Sequence, residues 1–578
     1  MAGDRDSGQE PRDDTAPLSG RRLGAAALLL AASILLSRIM GLVRNMVLAG
    51  MHGVGQSTDA YGAAFIIPDL LNYLLAGGAL TIAFTPLYLR TLRDEGDAQA
   101  DALFRTVLGT LGAATLVLTT GLWLYAEPLV AAIFADFDAG KQALTVRLTR
   151  IVLPAQIFFV TGGIVRAVLM AHGRFGAQAA APLLYNGGII AGGLVSGTIE
   201  GFAWGALAGA LLGGFVVPIF DMRHVRRVGI RIAPWDVRFH IYLWAALPLM
   251  IGVSITTVDE LYEKFFGARL GEGVLAALVF ARQLMMAPVG VIGQAVATAT
   301  LPTLSALHAA GREDELHATL ERTLRGALSL AVLAAAGVHV FAEPIVDAIY
   351  RRGAFDAEAS TRVAALLAIL ALAIPGWVTQ QVAIRAFFAR EEMWRAMALG
   401  TGVALVVIPL YMQLGDLHGA EGIAAAGVLA ITGNAVLTLV WGRARYGGPA
   451  LWPLLDTAAR STIVAGALRR TGALAAARHR GAQHHRRCTG RRSRLARSAR
   501  SFLERRGLVP ARGWRHRIRS GGGTRLPVAR RRGDARYAGE HRRTALRRAG
   551  RLARGRLSGR GASRDMESIL GSGAKRPT

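Results

Sequence analysis

The sequence predicts an all-α, polytopic membrane protein: two parallel six-helix lobes around a central cavity. Three observations carry this expectation: a succession of long apolar segments, a sharp division between that apolar body and a basic tail, and an internal repeat. Of the 578 residues, 52% are hydrophobic and 18% charged, which lies outside the range of ordinary soluble domains. The formal charge of +28 first suggests a nucleic-acid partner, but its placement does not support one. Residues 460–578 hold 34 of the 67 Lys and Arg and 5 of the 39 Asp and Glu, leaving 33 basic and 34 acidic residues before them. The basicity belongs to a tail, and no nucleic acid is expected to bind the body.

A helix that crosses a bilayer needs roughly 20 mainly apolar residues, and about twelve segments between Leu23 and Trp441 qualify. They run approximately over 23–50, 60–89, 105–126, 145–171, 178–198, 202–222, 240–263, 274–307, 324–349, 361–389, 395–414 and 419–442. Residues 1–22 are polar and mixed in charge, and the run from Leu23 to Gly50 has no small-residue cleavage pattern, so it reads as a retained first span. A thirteenth segment, Leu451–Leu468, is interrupted by Asp456 and Arg460. Alternate turns carry Arg90 and Arg93, Arg174, Arg223 with Arg226, Arg227 and Arg231, Arg312, Arg390 with Arg395, and Arg443 with Arg445. The opposite turns are poorer in cations, which predicts a cytoplasmic N-terminus in the inner membrane.

The repeat comes from two marks at one offset. AEPLVAAIF at 126–134 returns as AEPIVDAIY at 342–350, and Pro86 in FTPLYL returns as Pro302 in TLPTLS, both 216 residues on. A looser echo pairs Arg166 with Arg385. Six spans fit within the shift, and an even number preserves direction across the bilayer, so the halves should be parallel repeats. The expected organisation is a cytoplasmic tail at 1–22, lobe one at 23–222 and lobe two at 223–446. A partial thirteenth span at 447–468 and an arginine-rich disordered tail at 469–578 follow.

Charges within spans mark candidate sites, because they are expensive in hydrocarbon. Arg38 lies near the middle of a first span about 40 Å long at 1.5 Å per residue. Arg44 is six residues on and would face away from it unless Gly41 allows a bend. A guanidinium suits a phosphate by its paired donors and permanent charge, so the two arginines form a candidate pyrophosphate clamp. The structural alternative pairs Arg44 with Asp59 to hold the lobe together. Asp59 opens the second span, where it would cap that helix or act as a countercharge or protonatable gate. Arg282 sits in an apolar stretch with no acid close in sequence, whereas Asp259, Glu260, Glu263 and Lys264 read as an interfacial ion-pair set. Glycine-rich phosphate loops, nucleophile elbows and HExxH are absent from the sequence, so no enzyme is expected. Cys488 is the only cysteine, and neither a metal nor a cofactor is expected.

The segment LLSRIMGLVRNMVLAGMHGVGQSTDAYGAAFIIPDLLNYLLAGGALTIAFTPLY, residues 35–88, resembles the MurJ/MviN family of lipid II flippases. The resemblance rests on Ser37, Arg38, Gly41 and Arg44, on Thr58-Asp59-Ala60, on Pro68 with Leu70 and Leu71, and on AFTP at 83–86; it resumes in APVGVIGQAVATATLPTLS at 287–305. It implies two six-helix lobes of the multidrug/oligosaccharidyl-lipid/polysaccharide exporter type and two further C-terminal helices, here lost or degenerate. It also implies alternating access of a cationic cavity in which Arg38, Arg44 and Asp59 act, on a lipid-linked oligosaccharide pyrophosphate; Arg282 is a candidate further contact from its own place in an apolar span. Membrane lipids and cell-wall synthesis proteins are the other implied partners. The sequence departs from the family at Leu71-Asn72-Tyr73, where an arginine is usual, at Ala76-Gly77-Gly78, and at Gln283, with Arg282 one position early.

The function expected is therefore translocation of a peptidoglycan precursor. The alternatives are export of another undecaprenyl-linked glycan or of drugs, which Asn72 favours, and an inactive scaffold in wall synthesis. In residues 460–578, Lys575 is the only lysine among 34 basic residues. A basic arm for nucleic acid or anionic lipid and out-of-frame translation of a GC-rich gene both fit the tail, and the arginine skew favours the second.

Overall fold

The structure, a computed structural model, describes residues 20–467 apart from 76–78, 227 and 252–254; the arginine-rich tail lies outside the described residues. Among these all regular structure is helical. The first half comprises α1 (Gly20–His52), α2 (Gln56–Ala64), α3 (Ile66–Leu75), α4 (Ala79–Asp94), α5 (Asp97–Leu124), α6 (Ala126–Ile133), α7 (Ala139–Val152), α8 (Ala155–Ala171), α9 (Gly176–Ser196), α10 (Ile199–Gly209) and α11 (Val217–Met222). The second comprises α12 (Val237–Ile251), α13 (Ile255–Ala268), α14 (Val274–Val289), α15 (Ala295–Ala309), α16 (Glu313–Val340), α17 (Ala342–Ile349), α18 (Ala357–Leu370), α19 (Ile374–Ala389), α20 (Met393–Val406) and α21 (Ile408–Tyr446).

Proline sets many of these breaks. It lacks an N–H and its ring clashes with the carbonyl four residues back, so a helix tends to stop or kink just before it. α2 ends at Ala64 before Pro68, α5 at Leu124 before Pro128, and α16 at Val340 before Pro344, each capped by the aromatic residue that follows. A 3₁₀ turn, Ala371–Ala373, precedes Pro375, and π-helical stretches lie beside Pro218 and Pro288 at Ala210–Val216 and Gly290–Gln294.

The 216-residue shift carries the bounds of α5 onto those of α16, those of α6 onto those of α17, and the start of α4 onto that of α15. The caps repeat as well. Asp138 accepts from the Lys141 N–H at 3.0 Å to start α7, and Asp356 accepts from the Ala359 N–H at 2.8 Å to start α18.

Nine helical stretches among the described residues are long and apolar enough to cross a membrane, against the twelve segments expected. Met393–Tyr446 counts as one of the nine, but non-helical backbone at Gly419 (φ 58°, ψ −135°) divides it. The other two expected spans, 60–89 and 240–263, are each assembled from shorter helices, α2 to α4 and α12 with α13. The two pieces of the seventh span part company: α12 packs mainly on α3, α4 and α5, and α13 on α14, α20 and α21. Tyr242 of α12 is buried with Phe84, Tyr88 and Phe104 of the first half. The thirteenth segment, expected to be broken by its charges, is helical over 451–467. Asp456 and Arg460 pair at 2.8 Å one turn apart, while Thr457 accepts from Arg325 Nε at 3.0 Å and Ser461 Oγ lies 3.3 Å from Ser329 Oγ.

Helices α9 and α10 meet backbone to backbone. Gly188 and Gly192 face Gly201, Gly205 and Gly209, and a Cβ added at 192 or 205 would collide with the opposing main chain. Small residues at four-residue spacing permit such approach where no hydrophobic effect drives helices together in lipid. Gly192→Val should therefore destabilise the protein by about 1–3 kcal/mol through overpacking and lower its thermal unfolding temperature in detergent. Gly121→Val, at a position with no neighbour within 4 Å, should not. Equal unfolding temperatures for the two variants would contradict this packing.

Candidate functional site

The two halves meet at the end of the bundle where α1 terminates. Gly53 (φ 65°) and Gly353 (φ 58°) adopt left-handed conformations that only glycine takes readily. They let the main chains of the two halves touch, so that the Ala354 N–H donates to the Gly50 carbonyl at 2.8 Å. Beneath this contact lies Asp59, fully buried. Its carboxylate accepts from Lys141 Nζ of α7 at 2.9 Å and from the backbone N–H groups of Gly273 and Ala276 at 2.6 and 2.8 Å. Asp59 thus caps α14 across the lobe interface, where free N–H groups and the helix dipole favour an anion. It does not cap its own helix: the residue preceding α2 is Gly55, with no side-chain bond. Nor does it pair with Arg44.

Behind the closed end lies a cavity of about 490 Å³, lined by α1, α2, α3 and Tyr185 of α9 on one side and by α13 and α14 on the other. Arg38, Arg44 and Arg282 all line it; Asp59 does not. Helix α1 passes through Gly41 as one uninterrupted helix, so no break there is needed for Arg38 and Arg44 to share the cavity. The length of the two side chains suffices. Arg44 is half-buried and held by amide oxygens, with Nε 3.2 Å from Asn45 Oδ1 and Nη1 3.3 Å from Asn186 Oδ1. Asn186 was not foreseen as a site residue. Arg38, also half-buried, has no hydrogen-bond or ion-pair partner among the described residues. Its guanidinium lies against Gly290, where any Cβ would collide with it.

The remaining charges in and around the cavity each touch an opposite charge, two cations against four carboxylates. Arg282 Nη1 sits 2.8 Å from Asp259 Oδ2 and 2.7 Å from Glu263 Oε1, and the Tyr411 hydroxyl donates to Asp259 at 2.6 Å. Lys264 bridges Asp69 of α3 at 3.0 Å and Glu260 at 2.8 Å, a further link between the halves. The expected cluster of Asp259, Glu260, Glu263 and Lys264 is therefore split between two roles. Asp259 and Glu263 are buried counter-ions of Arg282, and Glu260 with Lys264 joins the interface. The cavity is mixed in sign, where the resemblance implied a cationic one. Arg38 and Arg44 are its two cations without a carboxylate among the described residues.

Removing one partner of a buried ion pair leaves an uncompensated charge and costs about 3–5 kcal/mol. Asp59→Asn should destabilise the protein on that scale, and adding Lys141→Met should recover part of the loss. Thermal unfolding of the two single variants and the double variant measures both effects. Wild-type stability in Asp59→Asn would show that the carboxylate does not hold the closed end.

A profile of the family described as "Lipid II flippase MurJ" matches residues 48–479. A probable lipid II flippase MurJ of Rhizobium meliloti is 32% identical over 445 residues, covering 74% of this chain and 82% of the relative. One of Bdellovibrio bacteriovorus is 30% identical over 429 residues, covering 72% and 81%. Among solved structures, a lipid II flippase MurJ in an inward closed conformation aligns with a TM-score of 0.67 at 21% identity, over 77% of this chain and 93% of that one. An inward-facing multidrug resistance MATE transporter of the MOP superfamily aligns with a TM-score of 0.61 at 16% identity, over 73% and 98%. The structural likenesses establish the fold. With the profile match and the sequence identities, they show that this multi-pass membrane chain belongs to the lipid II flippase MurJ family.

Proposed function

We propose that this protein moves lipid II, a lipid-linked oligosaccharide pyrophosphate, across the bacterial inner membrane, with Arg38 and Arg44 holding the pyrophosphate. The observation that carries this reading is the pair of cavity arginines without a carboxylate, beside a network in which every other charge has an opposite partner. A desolvated cation near mid-membrane is unfavourable unless a cavity or an anion receives it. A diphosphate supplies that charge together with oxygens for the planar donor fork. Arg282 would join only if phosphate displaced Asp259 or Glu263, so its role in this scheme is to fix the cavity wall. Asp59 closes one end. Transport then follows from alternating access, with residues 23–222 and 223–446 as the lobes, a cytoplasmic N-terminus, and opening of the Asp59 end exposing the cavity outside. No bond is made or broken. Asn72, where the family usually carries an arginine, favours a second reading in which the cargo is another undecaprenyl-linked glycan.

The test is complementation of a host depleted of its own lipid II flippase, together with the amount of precursor accessible outside the cell. Arg38→Ala should abolish rescue at normal membrane level. Arg38→Lys should cut flipping about tenfold, the equivalent of about 1.4 kcal/mol of lost hydrogen bonding. Arg282→Ala should fail differently, through a lowered membrane level, because two buried carboxylates lose their counter-ion. Full rescue by Arg38→Ala would remove the clamp, and failure of the wild-type chain while it exports another glycan would support the second reading.

A further inference from the structure

We propose that a groove on the flank of the first half binds a zwitterionic aminophospholipid from the surrounding bilayer, its phosphate on Arg147 and Arg150 and its ammonium on Glu127. The groove encloses about 870 Å³ between α5, α6, α7 and α10 and is separate from the cavity of Arg38 and Arg44. It lies at the closed end of the bundle, where α5 stops at Leu124 and α10 starts at Ile199, and so at the boundary between hydrocarbon and water. Trp123 and Trp204, 42% and 57% exposed, line it. Tryptophan concentrates at that boundary because its ring is apolar and its N–H is not.

The polar groups are arranged for a headgroup that carries both signs. Arg147 and Arg150, three residues apart, share a face of α7. Arg150 spends one donor on the Trp123 carbonyl at 3.3 Å and lies over the indole at 5.3 Å, which leaves its terminal nitrogens free among the described residues. Arg147 reaches Glu200 at 3.2 Å with its side chain still largely exposed. Glu127 lines the same groove and has no hydrogen-bond or ion-pair partner among the described residues. Two cations and two carboxylates sum to zero, so the groove matches a neutral headgroup with separated charges and not a net anion. A primary ammonium donates three hydrogen bonds to carboxylates, which a trimethylammonium cannot, and this selects the amine headgroup. The same α7 presents Lys141 to Asp59, so a lipid seated here braces the helix that locks the closed end.

Native mass spectrometry of the delipidated full chain, titrated with phosphatidylethanolamine, phosphatidylcholine or phosphatidylglycerol, tests the assignment. The wild type should retain phosphatidylethanolamine at least about fivefold better than the other two, roughly the contribution of one charge-assisted contact. Glu127→Gln should abolish that preference while leaving phosphatidylglycerol binding intact. Arg147→Ala with Arg150→Ala should weaken all three by a similar factor at an unchanged unfolding temperature. Equal retention of the three lipids by the wild type, or unchanged retention in the folded double-arginine variant, would overturn the proposal. If the arginine variant unfolds, Glu127→Gln, at an exposed position, decides alone.

Discussion

One carboxylate holds the halves of this molecule in register. Asp59 belongs to α2, yet its partners are Lys141 of α7 and two N–H groups at the start of α14. It completes a lysine ion pair and a helix cap at once, and that dual use is what makes a fully buried charge tolerable. A carboxylate with an ammonium and two N–H donors recovers much of the hydration it gives up, whereas either partner alone would leave it short. The geometry depends on this anchor. With the start of α14 pinned to α2, the face of α13 and α14 turns toward α1, and a closed-ended cavity results.

Ion pairing inside that cavity separates charges with an opposite partner from charges without one. A buried carboxylate is retained because it has a cation, and the reverse, so a charge paired inside the protein explains itself. Arg282, Lys264 and the four acids around them explain themselves in this way. Arg44 is satisfied only by neutral amide oxygens, and Arg38 only by contact with Gly290. Neutral acceptors orient a guanidinium without cancelling its field. An anion entering the cavity therefore meets two pre-positioned cations and need not break an existing ion pair to reach them. Binding to Arg282 would require losing at least one carboxylate contact first.

The sequence revealed this chemistry unevenly, for physical reasons. The repeat was legible because helix ends are local: Glu-Pro after a long apolar helix fixes a break through the proline ring, and the same break recurs 216 residues later at Phe341. Arg38 and Arg44 were legible because a charge in an apolar run is conspicuous. The partners of Arg282 were not, since Asp259 and Glu263 lie on the preceding helix and only the packing of α13 on α14 makes them neighbours. Their spacing of four was a usable signal, as it puts both carboxylates on one face. Asp59 misled because an acid in the first turn of a helix ordinarily serves that helix, and a cap supplied to a distant helix leaves no mark in the local sequence. Composition held one unused clue: residues 1–459 contain only two lysines, Lys141 and Lys264, and both are buried in ion pairs that join elements distant in the chain.

Those two lysines bear on how the closed end could open. Moving a two-state equilibrium from 1:99 to 99:1 requires about 5.5 kcal/mol of differential stabilisation. Parting α2 from α14 removes from Asp59 its two N–H donors but leaves Lys141, which belongs to the first half and can travel with it. The charge stays paired, so separation forfeits hydrogen bonds and not an ion pair, and water entering the gap can replace the hydrogen bonds. At the second contact, Lys264 keeps Glu260 on its own helix when Asp69 departs. Asp59 and Lys264, the two groups with a partner in each half, therefore each keep an opposite charge on their own side. That arrangement lowers the cost of opening relative to an interface of isolated buried pairs, which would hold the end shut.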